Sequence, residues 1–167
     1  MNASQRSHRA RAGLLLSTAG LSLWAGGLLF LGAVVAPHVF FHAGLDRTQA
    51  GAVMAPVFLA FDRWIVALAA LLVLGEMLRL PAVRAKRPAL ALHAALLVAL
   101  LGAAVAGSFF TSPGIEALRL QGAHRGEGPL GRRLDDLHHR SEALGRAQVL
   151  LCAGLLLTCW TQTGDSE

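Results

Sequence analysis

Seven histidines and a few charges set among apolar residues are where this chain could do chemistry. His38 and His42 stand four apart and would share one face of a helix. His138 and His139 follow Asp135 and Asp136, each imidazole three residues after a carboxylate. Two imidazoles at i and i+4, joined by a third His or an Asp from another helix, could hold zinc, copper or a haem iron. His38, His42, His138 and His139 are therefore candidate metal or haem ligands, beside the plainer reading of interfacial hydrogen bonding. Glu76 and His93 form a second candidate set. A buried carboxylate against an imidazole could relay a proton, or simply tie two helices together. Asp62, Arg63, Glu142 and Arg146 form a third. An Asp62–Arg146 pair, or Glu142 with Arg63, would neutralise charge at membrane depth and set helix register, or line a substrate or ion site.

The elements that must carry these residues are read from composition. Of 167 residues, 54% are hydrophobic and only 15% charged, against roughly 25% charged in a soluble domain. Mean hydropathy is +0.54. That balance excludes intrinsic disorder and argues against a soluble globule. The net charge is +5, but the basic residues sit between apolar blocks and not on one face. Arg6, Arg9 and Arg11 precede the first block, and Arg79, Arg84, Lys86 and Arg87 lie in the second connection. This is a topology signal and not a nucleic-acid surface. Cys152 and Cys159 are seven residues apart, about 10.5 Å along a helix, too far for a mutual disulfide. They read as small packing residues, with a soft-metal or redox role as the alternative. The sequence has no phosphate-binding loop, no dinucleotide fingerprint, no HExxH and no GxSxG, so no catalytic residue is assigned and an enzyme has no positive support.

No charge occurs from Ala12 to Leu45. The apolar run therefore outlasts a signal peptide and reads as a retained membrane helix. The expected plan is a basic N-terminus over 1–12, a membrane domain over 13–161 and a polar tail over 162–167. Spans are expected at about 13–36, 57–80, 88–110 and 143–161, each judged against a core of about 30 Å. Pro37 closes the first span. The stretch Asp46 to Ala55 is expected to form a short interfacial helix, with a kink at Pro56. Ser112-Pro113-Gly114 ends the third span, and the polar approach Pro129 to Glu142 continues into the fourth. Gly20, Trp24 and Gly27, with Ala103 and Gly107, supply small residues for close helix approach, within one chain or between copies. The fold class is all-α, a polytopic membrane protein built as a four-transmembrane-helix bundle. Its solvent is the lipid bilayer. The short basic segments place both termini inside, in a bacterial inner membrane.

The landmarks run in order. Leu23-Trp24-Ala25-Gly26-Gly27-Leu28-Leu29-Phe30 leads to Val35-Ala36-Pro37, then to Ala50-Gly51 and Pro56-Val57-Phe58. Ser112-Pro113-Gly114-Ile115-Glu116-Ala117-Leu118-Arg119 follows, and Leu134-Asp135-Asp136-Leu137-His138-His139-Arg140-Ser141 closes the series. Together they resemble the transmembrane protein 205-like family, whose bacterial members carry domain of unknown function 4149. The resemblance implies a four-helix integral membrane protein of unassigned biochemistry, with Trp24, Gly26, Gly27, Pro37, His138 and Ser141 as family positions. Where the family pattern has an Asn four residues after that Ser, this chain has Gly145. Four functions are weighed: a small accessory or scaffold protein, alone or as a homo-oligomer or part of a larger membrane complex; transport or permeation of a small solute or ion; a metal- or haem-binding protein; and an enzyme. The first is the leading expectation.

Overall fold

A computed structural model describes residues 3–82 and 87–164. Arg84, Lys86 and the last three residues of the polar tail lie outside them. Every described element is helical. Helix α1 (Ala3–Phe30) passes through a wide π turn (Leu31–Val35) into α2 (Ala36–Phe41). Helix α3 spans Arg47–Arg79 and ends in a 3₁₀ turn (Leu80–Ala82). Helix α4 (Arg87–Val105) passes through a second π turn (Ala106–Thr111) into α5 (Ser112–Leu120), and α6 runs Gly128–Gly164. Among the described residues, four stretches are long and apolar enough to cross a membrane: Ser7–Phe41, Thr48–Arg79, Arg87–Leu120 and Gly128–Thr161.

Two expected breaks, at Pro37 and at Ser112-Pro113-Gly114, are absent for one physical reason. Proline cannot donate to the carbonyl four residues back and collides with it. Before Pro37 the chain widens by one residue, so the Ala36 amide donates to Leu31 O. Before Pro113 it does the same, the Ser112 amide donating to Gly107 O. There Thr111 Oγ1 also donates to Ala106 O at 3.0 Å. The π turns absorb the prolines and the helices continue, so Pro37 does not close the first and Ser112-Pro113-Gly114 does not end the third. The separate interfacial helix after the first span is also absent. Asp46 caps α3 by a reciprocal box with Gln49, and Pro56 lies inside that one helix. The polar stretch Pro129 to Glu142 does continue directly into the apolar end of α6.

Helix α1 is central, packed along α3 on one side and α6 on another, and α6 in turn carries α4. The buried core takes Leu21 and Trp24 from α1, Ile65 and Leu72 from α3, Leu100 and Ala104 from α4, and Cys152 and Leu155 from α6. Inside it the Trp24 indole N–H donates to Gln148 Oε1 at 2.9 Å, and the Gln148 amide reaches Ala103 O at 3.5 Å. A buried amide in hydrocarbon must find such partners, and here they join three helices. A second small core of Leu118, Ala123 and Leu134 packs the hairpin between α5 and α6. Arg125 Nε meets Asp135 Oδ1 at 2.6 Å across the same hairpin. Gly122, Gly126 and Gly128 make its turns at positive φ.

Candidate functional site

At the end of the bundle that holds the N-terminus of α1, helices α1 and α3 cross very closely. A Cβ on Gly75 would lie 2.5 Å from Ser17 Oγ, and one on Gly13 would lie 2.7 Å from the Arg79 amide nitrogen. Only glycines permit that approach. The crossing brings the C-terminal turn of α3, with Glu76 and Arg79, onto the start of α4 and the last turns of α6.

There a polar cluster sits almost wholly out of contact with solvent. Glu76 is 3% exposed, Arg79 3% and His93 1%. Arg79 Nη2 donates to Glu76 Oε2 at 2.9 Å, and the same nitrogen lies 3.0 Å from His93 Nε2. His93 Nε2 and Glu76 Oε2 are 3.1 Å apart. On its far side the imidazole meets Thr158 Oγ1 through Nδ1 at 2.7 Å, and that hydroxyl donates to Leu155 O at 2.9 Å.

The imidazole therefore bridges the Glu76–Arg79 pair on α3 to Thr158 on α6: Nε2 faces both the carboxylate and the guanidinium, and Nδ1 faces the Thr158 hydroxyl, which donates to Leu155 O. Ser17 lies beside the same carboxylate, yet neither its hydroxyl nor Glu76 Oε1 completes a hydrogen bond. Cys159, buried at 1% exposure, completes the group. Its sulfur, a Glu76 oxygen and a His93 nitrogen lie within 4.8 Å of one another.

The structure thus brings together Glu76 and His93, as their matched depths suggest. It adds Arg79, Ser17, Thr158 and Cys159. Arg79 reads in sequence as a loop charge and Cys159 as packing. The only prior signal for either is position: Arg79 is three residues after Glu76, on the same helical face.

The candidates toward the opposite end of the bundle do not converge. His38 stacks on His42 with ring centroids 5.5 Å apart, and both are exposed. His139 is exposed, while His138 is half-buried with Nε2 unpartnered. Among the described residues no group of three ligand atoms includes any of these four. A shared helical face supplies two imidazoles, but no third donor reaches them. The expected Asp62–Arg146 and Glu142–Arg63 pairs are also absent among the described residues. Arg146 turns instead to Glu142 on its own helix, at 3.5 Å and exposed. Asp62 is half-buried with Ser112 as its polar neighbour, and Arg63 beside it faces outward. Consecutive helical positions point about 100° apart, so the two could not both face inward. Of the family positions, Trp24 is fully buried, Gly27 admits the Phe61 ring, and Gly26 faces open space. Ser141 is half-buried.

No curated protein and no solved structure matches the chain. Residues 19–124, more than half of it, match the family model described as a domain of unknown function (DUF4149), and the chain belongs to that family.

Proposed function

We propose that this chain is a small accessory or scaffold protein of a bacterial inner membrane, related to the transmembrane protein 205-like proteins, with both termini on the cytoplasmic side. One observation carries the reading: the middle of the bundle is filled. Leu21, Trp24, Ile65, Leu72, Leu100, Ala104, Cys152 and Leu155 close the space between the Glu76 cluster at one end and Asp62 at the other. A carrier or channel needs a polar path through that level. A cavity of about 410 Å³ bounded by Phe110, Arg133, Asp136 and Arg140 belongs to the outer end. A smaller one of about 130 Å³, between α3 and α4, is lined by Ile65, Val66, Ala69 and Leu101 among others. Neither is lined by the Glu76 cluster. The buried polar groups instead join helices to one another, which favours a stable platform. Positive charge on the N-terminus and on the second connection supports the orientation.

The test pairs two measurements. Tagged protein extracted from native membranes in mild detergent is expected to carry a membrane partner, or a second copy, in fixed ratio. Purified protein in sealed vesicles is expected to pass protons and small ions no faster than empty vesicles. Flux well above the empty control, lost in Glu76→Gln, would overturn the accessory reading in favour of transport.

A further inference from the structure

We propose that Glu76, His93 and Cys159 form a binding site for a divalent, thiol-seeking metal of the zinc class, and that Arg79 is the internal cation that fills it when the metal is absent. This goes beyond the accessory reading and does not depend on it.

Three observations point the same way. First, the donor atoms converge. His93 Nε2 and Glu76 Oε2 both lie about one point, at 3.0 and 2.9 Å, and that point is Arg79 Nη2. The Cys159 sulfur belongs to the same group, all three donors lying within 4.8 Å. Ligand atoms about a tetrahedral zinc ion sit roughly 3.5 Å apart. Side-chain movements of about an ångström would close the set.

Second, the imidazole is held as a metal ligand is held. Metal-binding histidines pass their other N–H to a hydroxyl, carbonyl or carboxylate, which sets the tautomer and the ring plane. Here Nδ1 is held by Thr158 Oγ1 at 2.7 Å, leaving Nε2 toward the cluster, and Thr158 is anchored to Leu155 O.

Third, further buried oxygen sits beside the donors: Ser17 Oγ lies against the Glu76 carboxylate, whose second oxygen Oε1 is buried with it.

Arg79 is suited to leave. It is the last residue of α3, and a long guanidinium side chain at a helix end can reach the headgroups. The exchange conserves charge. With Arg79 inside, one guanidinium offsets one carboxylate and Cys159 is a thiol. With the metal inside, two positive charges face the Glu76 carboxylate and the Cys159 thiolate, and Arg79 stands in the headgroup layer. The S–H bond breaks, an S–metal bond forms, and the proton passes to water. No electron is transferred.

The test uses the full chain in lipid nanodiscs, with Zn²⁺ alone for affinity and Co²⁺ alone as a coloured substitute. Wild type is expected to take up a single Zn²⁺ per chain. Arg79→Gln removes the competitor and should tighten binding by about tenfold or more, a gain of about 1.4 kcal/mol. Cys159→Ala and His93→Ala should weaken it by about tenfold or more, whereas Cys152→Ala should not change it. With Co²⁺, folded wild type should show a thiolate-to-cobalt band that Cys159→Ala lacks. Zn²⁺ affinity unchanged by both Arg79→Gln and Cys159→Ala would overturn the proposal. If the His93 variant does not fold, the wild-type cobalt spectrum decides alone, and the absence of a thiolate band overturns it.

Discussion

Glu76, Arg79 and His93 pose the sharpest residue-scale question, because charges in hydrocarbon are tolerated only when each has its partner. Breaking a buried ion pair by deleting one member leaves the other charge stranded, at a cost of about 3–5 kcal/mol. Glu76→Leu should therefore destabilise the protein by roughly that amount, read as loss of helical signal during titration with denaturing detergent. Glu76→Leu combined with Arg79→Leu should recover most of the loss, because no charge is then stranded. A double variant as unstable as the single one would show that the cluster contributes through something other than charge pairing. The sequence points at Glu76 and His93 because each interrupts an apolar run about one turn from the same end of the bundle. Arg79 hides because an arginine at the end of an apolar run ordinarily belongs to the loop. Thr158 and Cys159 hide because both are common in membrane helices, and their relevance rests on α6 arriving beside α4. The outer histidines carry the opposite lesson. Their spacing is visible in sequence, but spacing along one helix cannot supply a ligand from another.

Helix boundaries fail in sequence wherever proline is read as a stop. Pro37, Pro56 and Pro113 all lie within continuing helix. In lipid the alternative to helix is an unsatisfied backbone, so at Pro37 and Pro113 a local π turn costs less than a break. Glycine, by contrast, is informative about packing: Gly13, Gly20 and Gly27 recur every seven residues and all face α3, and the closest crossing lies on that same face, nearer the N-terminus than Gly20 and Gly27 suggest. It lies at Gly13 and Gly75, where α1 meets the turn of α3 that carries Glu76 and Arg79. Adding one methyl at Gly75 would drive a carbon to 2.5 Å from Ser17 Oγ and 2.8 Å from the Ser17 amide nitrogen. The second contact is with backbone, which cannot rotate away. Gly75→Ala should thus cost about 1–3 kcal/mol by forcing the helices apart. Gly26→Ala, facing open space, should leave stability within about 0.5 kcal/mol of wild type. Equal losses in the two variants, by the same detergent titration, would mean that the α1–α3 crossing is looser than its geometry indicates.

For the whole molecule, the succession of apolar blocks along the sequence dictates four apolar helices and their order, because hydrocarbon admits little else. Which helices touch is not legible in the same way. The central place of α1, with α3 and α4 meeting only weakly, depends on where glycines and the Trp24–Gln148 bridge permit close contact. Orientation is the remaining large-scale property, and the proposed one rests on counting charges. With Arg79 set inside α3 against Glu76, the N-terminus and second connection together carry six Lys or Arg and no acid: Arg6, Arg9, Arg11, Arg84, Lys86 and Arg87. The opposite side carries arginines offset by Glu116, Glu127, Asp135, Asp136 and Glu142. Positive charge is retained on the cytoplasmic side during insertion, while acids contribute little. The native thiols are buried, so single cysteines introduced at Ser4 and Glu127 can report the two faces separately. An impermeant maleimide added to spheroplasts should label Glu127→Cys, and should label Ser4→Cys only after the membrane is opened. The reverse pattern would invert the molecule and place the Glu76 cluster near the outer face. Any metal reaching it would then come from the periplasm and not from the cytoplasm, which makes this labelling the measurement that gives the buried cluster its side of the membrane.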